Sequence, residues 1–187
     1  MSAPTPAGPG TAGAAVDPTL RFLGGYPPDV LAAVRAALDD GRVARMMATR
    51  YAEPHQIRSD PALYEHVSAI KARHLRNAPV LAKVQYDNRL QIDQRALGTL
   101  TAVSRVQGGR LQAKREIRIA AVFRTAPARM LDMIVAHELA HLRHREHDKP
   151  FYALCEHLLP DYHQVEFDTR LYLCLRAREA ASGAAPA

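Results

Sequence analysis

The chain has 187 residues, 48% hydrophobic and 24% charged, with a formal net charge of +6. That length closes one ordinary core, and no apolar run approaches the roughly 18 residues of a membrane-spanning helix, so no membrane role is expected. Two cysteines, Cys155 and Cys174, exclude a disulfide framework and fit a reducing compartment, here taken as the cytoplasm.

Residues 1–18 are rich in Pro, Gly and Ala and lack both a cationic start and a Leu-rich apolar stretch. They read as a disordered tail rather than a secretory signal, and residues 179–187 read the same way. Residues 19–78 read as a helical segment. In YPPDVLAAVRAALDDGRVARMMATRY, two prolines open the helix, and Val30, Leu31, Val34 and Leu38 recur at helical spacing. Asp39-Asp40-Gly41 breaks it. Ser59-Asp60-Pro61 is an N-cap followed by proline at a first-turn position, and it leads into ALYEHVSAIKARHLRN.

From residue 79 the apolar period shortens. VLAKVQYDNRLQI alternates around Asp87-Asn88, as two short strands or a hairpin do. Gly108-Gly109 is a hairpin turn signal, and Leu111, Ala113, Ile117, Ile119 and Phe123 follow at even spacing. Pro127 opens a helix through ARMLDMIVAHELAHLRHRE, and two more helices follow, FYALCEHLL and EFDTRLYLCLRAREA. The expectation is one α+β domain, a small antiparallel sheet packed on the helix that carries HELAH, with additional amino-terminal helices.

HELAH fits H-E-x-x-H, which chance would produce roughly 0.02 times in a chain of this composition. Residues four apart lie on one helical face, so His137 and His141 reach the same ion. Glu138 is turned by about 100° and lies beside that ion rather than on it. Two histidines and a glutamate on an apolar helix are costly to bury without a cation. A third ligand is required. His144 stands about 10.5 Å along the axis from His137, too far to share an ion easily. His147 lies on the wrong face of a continued helix, but reaches the metal if the helix ends near Arg145 or Glu146. Glu156, on the next helix, is the reserve candidate. His144, His157 and His163 read as solvated or supporting residues. Three nitrogen ligands leave the fourth position of one Zn2+ to water, the arrangement of a catalytic site, with Glu138 as general base. Tyr152, Tyr162 and His163 are open as charge-stabilising groups, and the strand REIRIAAVF is a candidate edge for pairing an extended peptide.

EIRIA, MIVAHELAHLRHREHDKPFY and LLPDY together resemble the YgjP-like family of zinc metallopeptidases, related to the SprT and WLM zincins. The resemblance covers roughly residues 79–175. It implies a zincin-like metallopeptidase domain over residues 79–178, with His137, His141 and His147 as metal ligands and Glu138 as the catalytic acid/base. It implies a peptide or protein substrate. The second reading is a nucleotide phosphoanhydride hydrolase, with Arg105, Arg110, Lys114, Arg115 and Arg118 as phosphate contacts. The third is a metal-stabilised binding module for nucleic acid or protein. The basic residues are dispersed, with neither a charge run nor an aromatic ladder, so charge alone does not call for nucleic acid.

Overall fold

The computed structural model describes residues 17–90, 98–107 and 110–183, with side chains described for 17–90 and 115–183. After a 3-10 turn at Pro18–Leu23 come α1 (Pro28–Asp39), α2 (Arg42–Arg50), α3 (Asp60–His74), β1 (Leu81–Asp87), β2 (Gly98–Gln107), β3 (Arg110–Ala120), α4 (Ala128–Ala140), α5 (Lys149–Leu158) and α6 (Tyr162–Ala181). The Ser59 side chain accepts from the Ala62 amide, the N-cap expected at α3.

The fold is α+β, but its sheet is mixed rather than antiparallel. Strand order is β1-β3-β2, with β2 antiparallel and β1 parallel to β3. Ile117 and Ile119 are fully buried, and β3 therefore takes the centre, the position with most apolar cover. The β2–β3 register closes on Gln107 opposite Arg110, as a two-residue connection requires; Gly108-Gly109 lies outside the described residues. β1 is one strand rather than the first limb of a hairpin around Asp87-Asn88, because its partner is β3. It ends where the Asp87 carboxylate accepts from the Arg89 amide and bends the chain. The second limb expected there falls largely outside the described residues.

α4 is the central element. Met130, Leu131, Met133, Ile134, Val135, Ala136, Leu139 and Ala140 are all buried, so this helix is apolar around nearly its whole circumference. It packs on β2 and β3, and on α3, α5 and α6. The 3-10 turn at Pro18–Leu23 and α2 pack on α6. There Asp168, almost fully buried, accepts from the Tyr51 hydroxyl at 2.7 Å and from Arg50 at 2.8 Å. α3 lies against β1, where its Asp60 carboxylate accepts from the Tyr86 amide at 2.9 Å. Among the described residues no helix is long and apolar enough to cross a membrane.

Candidate metal centre

α4 stops at Ala140, five or six residues before the end expected from sequence. His141 is its C-cap, and the amides of Arg143 and His144 both turn back to the Ala140 carbonyl at 3.0 Å. The His141 side chain helps to hold that turn, with Nδ1 2.9 Å from the His144 carbonyl. A short return then leads to Asp148, which caps α5 by accepting from the Phe151 amide. Pro150 sits in the first turn of α5, where its missing amide hydrogen costs nothing. This return carries His147 back over the end of α4.

His137, His141 and His147 consequently converge. His147 Nε2 is 3.2 Å from His137 Nε2 and 3.1 Å from His141 Nε2. Nitrogens on adjacent corners of a tetrahedral zinc site, each about 2.05 Å from the ion, are about 3.3 Å apart. The spacing therefore fits one ion. Glu156 is not brought in. It is exposed and lies 3.5 Å from His163 on the next helix. His144 contributes its carbonyl to His141 but does not join the cluster found among the described residues.

The remaining ring nitrogens show why the Nε2 atoms point inward. A carbonyl only accepts, so His141 Nδ1 carries the proton and its neutral Nε2 is left with the lone pair. His137 Nδ1 lies 2.7 Å from the Tyr162 hydroxyl. When that hydroxyl accepts from His137 Nδ1–H, a second Nε2 lone pair faces the same point. Burial, reinforced by His141 and His147, holds the His137 pKa down at about 3, and burial also lowers that of His141. Both rings are thus neutral, as metal ligation requires. Beneath them lies Phe151, fully buried, with its ring centroid 4.7–5.0 Å from all three imidazoles.

Glu138, one residue after His137, is 1% exposed, and its Oε2 has no hydrogen-bond partner among the described residues. Burial alone pushes its carboxyl up to about 8. An orphaned buried carboxylate, on the helix that supplies two of the three converging lone pairs, is a group that a nearby divalent cation would satisfy.

The sequence did not reveal Phe151 as the floor of the site or Tyr162 as the partner of His137. Tyr162 is set by backbone geometry at the start of α6. Asp161 adopts the left-handed region at φ 66°, and the Pro160 carbonyl before it accepts from Arg129 on α4. That turn drives the fully buried Tyr162 under α4. The sequence signals were the LLPDY motif and the candidacy of Tyr162 as a charge-stabilising group, neither of which pointed to His137.

The YgjP-like metallopeptidase domain matches residues 62–169. The chain belongs to this family. It is also 52% identical over 154 residues to a UTP pyrophosphatase of Escherichia coli (strain K12), a match covering 82% of this chain and 92% of that protein. No solved structure matches it. Family and relative agree on hydrolytic chemistry and differ on the bond cleaved.

Proposed function

We propose that this protein is a zinc-dependent hydrolase that cleaves the phosphoanhydride of a nucleoside triphosphate such as UTP and releases pyrophosphate. The observation that carries the reading is the convergence of three histidine nitrogens, with the orphaned buried carboxylate of Glu138 on the same helix as two of them. The substrate comes from the extended similarity to a UTP pyrophosphatase. This reverses the order expected from sequence, in which the peptide came first.

His137, His141 and His147 would hold the ion through Nε2. Imidazole donors favour zinc over magnesium or calcium. A zinc ion there supplies Lewis acidity and brings the pKa of water down towards about 7. Glu138 accepts the proton of the attacking water. The water oxygen bonds to phosphorus, the bridging P–O bond breaks, and pyrophosphate leaves with the electron pair. Glu138 then returns its proton to the leaving oxygen or to solvent. A cation held there would offset the burial that otherwise keeps Glu138 protonated.

For phosphate contacts, the sequence offered arginines around the β2–β3 hairpin. The side chains of Arg105, Arg110 and Lys114 lie outside the described residues. Arg118 is engaged by Asp87 at 3.3 Å, with Glu116 at 4.0 Å. Arg170 on α6 is a cation whose charge acts on His137, making the smallest contribution to its lowered pKa. Glu166 and the Phe22 carbonyl hold it in place.

The family description favours a second reading, peptide hydrolysis. The peptide-pairing edge expected at REIRIAAVF is corrected by the topology. β3 is paired on both sides and has no free edge, whereas β2 is the outer strand next to α4. The deciding experiment incubates zinc-loaded wild type and Glu138→Gln with UTP and, separately, with a mixed peptide library. We expect UMP and pyrophosphate from the wild type, a loss of about 10²–10⁴-fold in Glu138→Gln with zinc retained, and intact peptides. Peptide cleavage with UTP untouched would overturn the nucleotide reading. Turnover of neither would leave the binding-module reading in its place.

A further inference from the structure

We propose a second, weaker transition-metal site between His74 on α3 and His157 on α5. His74 Nδ1 and His157 Nε2 face each other at 3.5 Å across 83 residues of sequence. As a hydrogen bond between neutral imidazoles this contact is at the limit of usefulness. As two corners of a coordination sphere it fits well. Nitrogens 3.5 Å apart, each about 2.05 Å from an ion, subtend about 117° at the metal, between tetrahedral and trigonal angles. The rings meet edge to face, with centroids 5.3 Å apart and planes at 82°, so both nitrogens turn towards the shared space rather than stacking over it.

A second observation gives the site its sign. His74 is the last residue of α3, and His157 is the penultimate residue of α5. Two helix carboxyl ends, each carrying partial negative charge, therefore meet where the imidazoles meet, and both favour a cation there. No carboxylate among the described residues is paired with either histidine. The adjacent Glu156 is turned to His163 instead. Imidazole ligands select zinc, nickel or copper(II) over magnesium or calcium. With two protein ligands and water completing the sphere, the site binds in the micromolar range, below a three-histidine centre.

Its role follows from where the elements lie. α3 packs on β1, whereas α5 begins with Phe151 beneath the three-histidine cluster. An ion shared by His74 and His157 clamps the far end of α5 to α3 and steadies the helix that floors the catalytic site. The clamp fills only when free metal is abundant.

The test is zinc stoichiometry by equilibrium dialysis on the full chain, with elemental analysis, for wild type, His74→Ala, His157→Ala and His163→Ala. Wild type and His163→Ala are expected to take a tight equivalent and then a micromolar one. His74→Ala and His157→Ala should each lose the micromolar equivalent and keep the tight one. Copper(II) added to zinc-loaded protein should give an electron paramagnetic resonance spectrum with two nitrogen couplings in wild type and at most one in either variant. Should an alanine variant lose its helical circular dichroism, His74→Gln and His157→Gln replace it. A wild type that takes no second equivalent up to saturation overturns the site. So does a second equivalent that survives in both variants, or one lost in His163→Ala instead. Failure of the three-histidine centre would remove the tight equivalent from every sample, leaving the difference between wild type and variants readable.

Discussion

Two parts of the molecule use histidine in opposite ways. At the end of the 3-10 turn Ala121–Arg124, His55 is 8% exposed and has work for both ring nitrogens. Its Nε2–H donates to the Phe123 carbonyl at 2.9 Å, and its Nδ1 accepts from the Ile57 amide at 3.1 Å. At the end of α4, His137 and His141 each commit only Nδ1 to the protein and turn Nε2 towards His147. Composition does not separate these residues, and burial separates them without explaining the difference, with His55 buried, His137 and His141 half-buried and His147 exposed. The unmatched nitrogen does: a histidine satisfied twice by the protein is a structural polar group, and one satisfied once in company with others is a ligand in waiting.

The largest test of that contrast is His141→Ala against His55→Ala. His141→Ala should lose tightly bound metal and all measurable turnover. His55→Ala should keep metal stoichiometry and turnover per folded molecule, while losing about 1–3 kcal/mol for each backbone group left unpaired. Elemental analysis and urea unfolding on both variants read the two outcomes. Metal lost equally from both would erase the distinction.

Tyr162→Phe sharpens it further. The ring still fills its buried site, but His137 Nδ1 loses its partner and the inward-facing tautomer is no longer fixed. Zinc affinity by competition with a chelator should fall about 10–100-fold, with the folded state retained. Unchanged affinity would show that the hydroxyl has no part in holding the ring.

The last test is in pH. In the metal-free protein Glu138 is raised from 4.5 to about 8, so the folded chain keeps a proton that the unfolded chain releases across that window. Stability from this group is therefore intact below 4.5 and is lost as pH rises towards 8, on the order of a few kcal/mol in total. His137, lowered from 6.5 to about 3, acts oppositely, losing its contribution as pH falls through that lower window. Comparing metal-free wild type with Glu138→Gln cancels the histidine effect. Relative to Glu138→Gln, the wild type should be less stable at about pH 8.5 than at about pH 5, and zinc should shrink the gap. A gap of the opposite sign would mean that Glu138 is solvated.

What could be read in the sequence follows the range of the interactions. That His137 and His141 face the same point was legible because one helical turn fixes their relation. His147 was reached by elimination, since its approach depends on a helix that ends at Ala140, held by a His141–His144 contact that periodicity does not encode. The alternation of β3 was visible, yet its central place and its parallel partner β1 depend on pairings distant in sequence. Phe151 and Tyr162 stood in quoted motifs, Tyr162 also as a charge-stabilising candidate, but the places they take were hidden for the same reason. Each carries an ordinary apolar signal, and only the packing of α5 and α6 under α4 makes it part of the site.

The short return between α4 and α5 bears on how the proposed centre would acquire its ion. His137, His141 and His147 span only eleven residues, so drawing them around a metal closes a small loop at little entropic cost, even in a chain that has not yet folded. Nascent or denatured chains should therefore capture zinc before the core forms. The ion then adds less to folding stability than its affinity for the native state implies, because part of that affinity is already present in the unfolded chain.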